Sequence, residues 1–175
     1  MAKGAKRELL GRLSRLGPLP ADVEATQEQL DEFGDIVDRI RAASPDPDYI
    51  RPLLGAFGYG DGFGLYTHGV SALLKQDRAT VIATAMDTLE GAADGPRQWA
   101  METLRQLRES GHPTPPTDRE VRLAERALRG PPLLAHAAVY WAYWVGGPKG
   151  RRLLGLGSRV AAGDARARAA ELLAE

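Results

Sequence analysis

A chain of 175 residues can bury a substantial core, and a composition that is 43% apolar and 26% charged is that of a globular protein, not a disordered or fibrous one. Its 23 lysines and arginines balance 23 aspartates and glutamates, so attraction of the whole molecule to nucleic acid or to an anionic membrane is not indicated. There is no cysteine, which excludes disulfides, thiol catalysis and thiolate metal sites.

One domain over 1–175 is the expectation. Residues 1–19 read as a short N-terminal helix prone to fraying: Leu9, Leu10, Leu13 and Leu16 recur at helical spacing until Gly17 and Pro18 stop them. Charge interrupts this stretch, so it never becomes the apolar core of a secretory signal. The longest apolar run, 131–145, is shorter than the roughly 18–20 residues needed to span a bilayer. A cytoplasmic location without membrane contact is the simplest reading.

After Pro20 a longer helical pattern carries Leu30, Phe33, Ile36, Val37 and Ile40, and it must end at Ser44-Pro45-Asp46-Pro47. Asp48 is expected to cap the next helix, which has Ile50, Leu53, Leu54 and Phe57 as its buried stripe. Four glycines in the seven residues 58–64 make a loop, with Tyr59 and Phe63 expected to pin the turn. A helix over about 65–74 follows. Asp77 caps another bearing Val81, Ile82, Ala85, Met86 and Leu89, and Pro96 opens one with Trp99, Ala100, Leu104 and Leu107 inward.

The three prolines within 111–116 mark an internal linker, where His112 is expected to be solvated. Thr117 and Glu120 form a capping box for a helix through Leu128. The next helix starts at Pro131 or Pro132 and ends at Gly146-Gly147-Pro148; the tail from Lys149 reads as one or two helices, with Ala169, Leu172 and Leu173 buried on the last. No stretch alternates with period two, so the fold class is all-α, an array of antiparallel helix pairs.

Glu28, Asp31, Glu32, Asp35 and Asp38 share one flank of the second helix, an acidic stripe set against its apolar face. The stripe reads either as a docking face for a positively charged protein or as a solvated face partly neutralised by Arg39, Arg41 or the basic C-terminal half. That half carries Arg119, Arg122, Arg126, Arg129 and the Lys149-Gly150-Arg151-Arg152 run, without interleaved aromatic residues that would stack bases. Tyr140, Trp141, Tyr143 and Trp144 crowd into five positions, so at least one, such as Trp144, must face away from the core and is available to anchor an interface.

His68 and His136 have no serine or carboxylate at motif spacing and are expected to be hydrogen-bonded structural imidazoles. The glycine loop lacks the preceding strand and the lysine of a phosphate-binding loop. No catalytic, cofactor or metal site is indicated.

The stretch from Tyr49 to about Ser110 resembles a group of small bacterial HEAT-like helical proteins, many regarded as immunity proteins against toxins of bacterial competition. The residues that carry the resemblance are Ile50-Arg51-Pro52-Leu53-Leu54, Gly62-Phe63-Gly64 with His68 and Val70, Asp87-Thr88-Leu89, and Trp99-Ala100-Met101 before Leu104. Leu65-Tyr66-Thr67 stands where such proteins often have a proline after the phenylalanine-glycine pair. The resemblance implies a HEAT-like α-α superhelix and a non-enzymatic protein that binds a cognate toxin stoichiometrically; it carries over no catalytic residue. A nucleic-acid-binding helical array using the basic C-terminal half is the alternative.

Overall fold

The computed structural model describes residues 3–110 and 115–175, and among them every regular element is helical. Residues 111–114, which include most of the expected linker and His112, lie outside the described residues. The chain divides into two compact units, 1–99 and 100–175, with the division falling inside one helix.

The first unit comprises α1 (Lys3–Leu16), α2 (Gln27–Ala42), α3 (Ile50–Ala56), α4 (Leu65–Leu74), α5 (Arg78–Gly91) and the first turns of α6 (Asp94–Glu109). Its helices pack alternately: α1 lies on α3 and α3 on α5, while α2 lies on α4. Two of the starts have a side-chain cap. Thr26 caps α2, with the Gln29 side chain returning to the Thr26 amide, and Asp77 caps α5 through the Thr80 amide at 2.9 Å. Asp48 does not cap α3. Asp46 caps a short 3-10 turn, Pro47–Tyr49, that precedes α3, and the Asp48 carboxylate instead pairs with Lys6 of α1 at 2.6 Å.

Phe33, Ile36, Val37 and Ile40 are fully buried on α2, as their spacing predicts. Phe33, Phe57, Tyr66 and Trp99 form a continuous ring cluster, with Phe57 stacked on Trp99 and Tyr66 edge-on to the other three at 5.4 Å. Offset and edge-to-face pairs of this kind add about 0.5–1.5 kcal/mol each beyond the area they bury. Gly69 makes room for them, since a Cβ there would lie 2.7 Å from the Phe57 ring. On α5, Thr84 and Thr88 are buried while Ile82 and Met86 are only half-buried, which rotates the expected stripe. The Thr88 hydroxyl donates to the Thr84 carbonyl at 2.8 Å, so its burial leaves no donor unmet.

The second unit holds the rest of α6, then α7 (Asp118–Ala127), α8 (Pro132–Val145), α9 (Gly147–Val160) and α10 (Asp164–Ala174). Here α8, α9 and α10 pack mutually, with α7 against α8 and α9. Glycine permits the closeness: a Cβ at Gly150 of α9 would stand 2.5 Å from the Ala142 carbonyl oxygen of α8. Leu173 is exposed, contrary to expectation, because Leu172 and Leu173 lie about 100° apart on a helix and the stripe Ala165, Ala169 and Leu172 takes the inner face. His68 and His136 are likewise exposed and do not serve as buried structural imidazoles; their inward neighbours Gly69, Val70, Ala135 and Ala137 occupy the core side.

Arg108 and Glu120 form a buried ion pair at 2.7 Å, each almost without solvent contact. The guanidinium also lies over the Trp141 ring, 5.9 Å from its centroid, and the second Glu120 oxygen accepts the Thr117 amide of the α7 capping box. Removing one partner of such a pair strands a buried charge. Glu120→Ala should therefore lower unfolding free energy by about 3–5 kcal/mol in a urea titration, far more than truncating an exposed pair.

Candidate partner-binding surface

The acidic stripe of α2 is partly neutralised, and the chief agent comes from α1. Arg12 meets Glu32 through two parallel hydrogen bonds of 2.7 Å and reaches Asp35 at 2.8 Å. Arg39 also pairs with Asp35 at 3.1 Å, and Arg41 with Asp38 at 3.3 Å. The Arg12 guanidinium holds both the Glu32 and Asp35 carboxyls below the ordinary carboxylate range. Glu28 and Asp31, at the start of the helix, have no lysine or arginine partner among the described residues; Asp31 accepts only the Gln27 amide, at 2.7 Å. The five carboxylates thus separate into three that are internally compensated and two that keep an open charge.

The glycine loop 58–64 lies alongside α2 and is braced from three directions. One Asp22 carboxylate oxygen accepts the Gly62 amide and the other the Asp61 amide, both at 2.9 Å. Gln98 grips both backbone groups of Gly60, and the Trp99 indole donates to the same carbonyl at 3.0 Å. Tyr66 closes the inner side beside Gly58, its phenol pKa pushed up to about 12 by burial. Added Cβ atoms at Gly58, Gly60 or Gly62 would all meet neighbours within 2.8 Å, so this chain path strongly favours glycine at those positions.

Phe63 does not pin the turn. It is 74% exposed and sits at φ 54°, the only non-glycine residue at positive φ among the described residues. Its amide is fixed by the Asp61 side chain at 2.8 Å. An L-residue in this region costs about 1–2 kcal/mol. The ring recovers none of that cost by burial. Beside it, a groove between the loop and α2 is floored by Leu30, Gly34 and Leu65 and edged by Asp31 and Asp35.

In the second unit, Trp141 is fully buried while Tyr143 and Trp144 are exposed and touch edge to face at 5.6 Å. Trp144, the expected anchor, therefore does face outward. The basic residues there are largely engaged within the unit: Lys149 with Asp118, Arg152 with Glu125, Arg168 with Glu171 and the Tyr140 hydroxyl, and Arg129 with the Glu125 carbonyl. Arg122, Arg126 and Arg151 are exposed. Among the described residues no group of histidines and carboxylates is arranged to hold a metal ion, and no helix is long and apolar enough to cross a membrane. Comparison with known protein families and with curated proteins finds no match to this chain.

Phe63→Gly removes the backbone penalty and adds unfolded-state freedom of comparable size, so its stability should stay within about 1 kcal/mol of wild type. Gly62→Ala, by contrast, places a Cβ 2.8 Å from the Tyr66 ring at φ 58° and should cost about 2 kcal/mol or more in the same denaturant titration. For Glu32 and Asp35 the folded-state values lie below the ordinary 4.5 and 3.8, so the stability they confer is present above those values and is lost as pH falls through the lowered ones. The thermal midpoint of wild type should thus drop more steeply on acidification than that of Arg12→Met, the gap between them narrowing below pH 3.8.

Proposed function

We propose that this chain is a non-enzymatic, helical-repeat protein that binds another protein stoichiometrically, and that it acts as an immunity protein neutralising a bacterial toxin. The observation that carries the binding reading is Phe63: a large apolar side chain held out in solvent, on a strained backbone, by a loop with almost no freedom to withdraw it. Exposed aromatic anchors on preorganised loops lose little entropy on association, and burying one is worth about 2 kcal/mol or more at an interface centre. The open carboxylate Asp31 beside it, with Glu28 one turn earlier on the same helix, would steer a cationic partner, raising the association rate more than the affinity.

Alternate packing of α1 on α3 on α5, and of α2 on α4, is what a stacked array of helix pairs produces, and it supports the likeness to HEAT-like proteins. The toxin assignment rests on that likeness. Steric blockade needs no catalytic group on this chain. Trp144 with Tyr143 offers the second unit a lesser aromatic contact of the same kind.

The test uses p-benzoylphenylalanine in place of Phe63, which keeps an aromatic ring at the same position, expressed in the native host and irradiated. A discrete adduct of one protein partner is expected from position 63 and none from the same label at the exposed Ala167. Labelling absent at position 63, or equal at both, would defeat this reading.

A further inference from the structure

The two most exposed large apolar side chains of the described residues, Val23 at 94% and Phe63 at 74%, are each one residue from the same bond. Val23 follows Asp22, whose carboxylate holds the Gly62 amide, and Phe63 follows Gly62. Two loops far apart in sequence are thereby clamped together, and in each the next residue along the chain is an exposed apolar one. Next to that clamp runs the groove over Leu30, Gly34 and Leu65.

Gly34 keeps the groove open. A glycine inside a helix costs about 0.8–1 kcal/mol relative to alanine, and here nothing in the packing requires it. A Cβ at Gly34 would meet only the Leu65 side chain, at an ordinary 3.4 Å. What its absence provides is space on the outer face of α2, at the foot of Phe63.

Charge selects the occupant. Glu24, Glu28, Asp31 and Asp61 are exposed around this end of α2, and none has a lysine or arginine partner among the described residues. At the other end Arg12, Arg39 and Arg41 already occupy Glu32, Asp35 and Asp38. Resting on the protein-binding reading above, we infer that the groove between α2 and the glycine loop takes a segment of a partner protein that places an arginine or lysine beside a large apolar side chain. The apolar side chain lies over Gly34 between Leu30, Leu65 and Phe63, and the cation meets Asp31 and Glu28.

The test pans a phage-displayed random dodecapeptide library on the full-length protein at low ionic strength, then measures synthetic copies of the enriched peptides by titration. Enriched sequences should carry lysine or arginine within two positions of leucine, isoleucine or an aromatic residue. Their affinity should fall at least about tenfold for Gly34→Met, which fills the groove, for Asp31→Lys, and for wild type when the salt is raised to screen the carboxylates. Gly34→Met replaces a helix-interior glycine without backbone conflict, so its thermal midpoint should equal or exceed that of wild type. No enrichment, enrichment of acidic or uncharged peptides, or basic peptides that bind Gly34→Met as tightly as wild type would overturn the inference. Should the label at position 63 still capture a protein in the host, partner binding stands and only the basic, apolar occupant is lost; if both fail, so does the reading beneath it.

Discussion

The contact of Trp99 with Phe57 and Tyr66 organises the first unit, because the same indole that completes the ring cluster also donates its one hydrogen bond to Gly60. A buried tryptophan needs a partner for its N–H, and here the partner is the backbone of the glycine loop. Hydrophobic packing and loop position are thereby joined in one side chain. The cluster fixes where the ring lies, the ring fixes Gly60, and Gly60 with Gln98 and Asp22 fixes the path along which Phe63 is presented. The exposed residue is thus tied through its loop to the core beneath it.

That arrangement separates two uses of the apolar side chains. Those of α2 and α4 stabilise the unit by burial, whereas Phe63 and Val23 contribute almost nothing to folding. The acidic flank is divided in the same manner. Bidentate pairing with Arg12 commits Glu32 to holding α1 on α2, while Glu28 and Asp31 are left to solvent. Exposed pairs add little to stability, typically under about 1 kcal/mol, so the value of Arg12 lies in fixing register between the two helices as much as in energy.

Much of the architecture was legible in the chain. Helix periodicity, the Thr117 and Glu120 box, and the proline and glycine stops located the helices because each rests on local chemistry. Leu173 and the α5 stripe were misplaced because adjacent apolar residues on a helix compete for one face, and only the packing partner decides between them. The acidic stripe was visible as spacing, but its compensation by Arg12 was not, since the pairing spans twenty residues and a change of helix. Phe63 shows the same limit more sharply. Glycines announced a turn, yet whether the aromatic residue among them points in or out depends on Asp22 and Gln98, one some forty residues before the loop and the other some forty after it.

Gly146 closes α8 at φ 63° and, with no intervening residue, stands as the cap from which α9 departs. Two helices joined without slack share one rotational setting, since adding a single residue at the joint would turn everything after it by about 100°. The pair behaves as a bent rod. Natural variation in chain length is therefore expected to collect at other joints, such as the turn after Val160, where the spacing between helices leaves residues to spare.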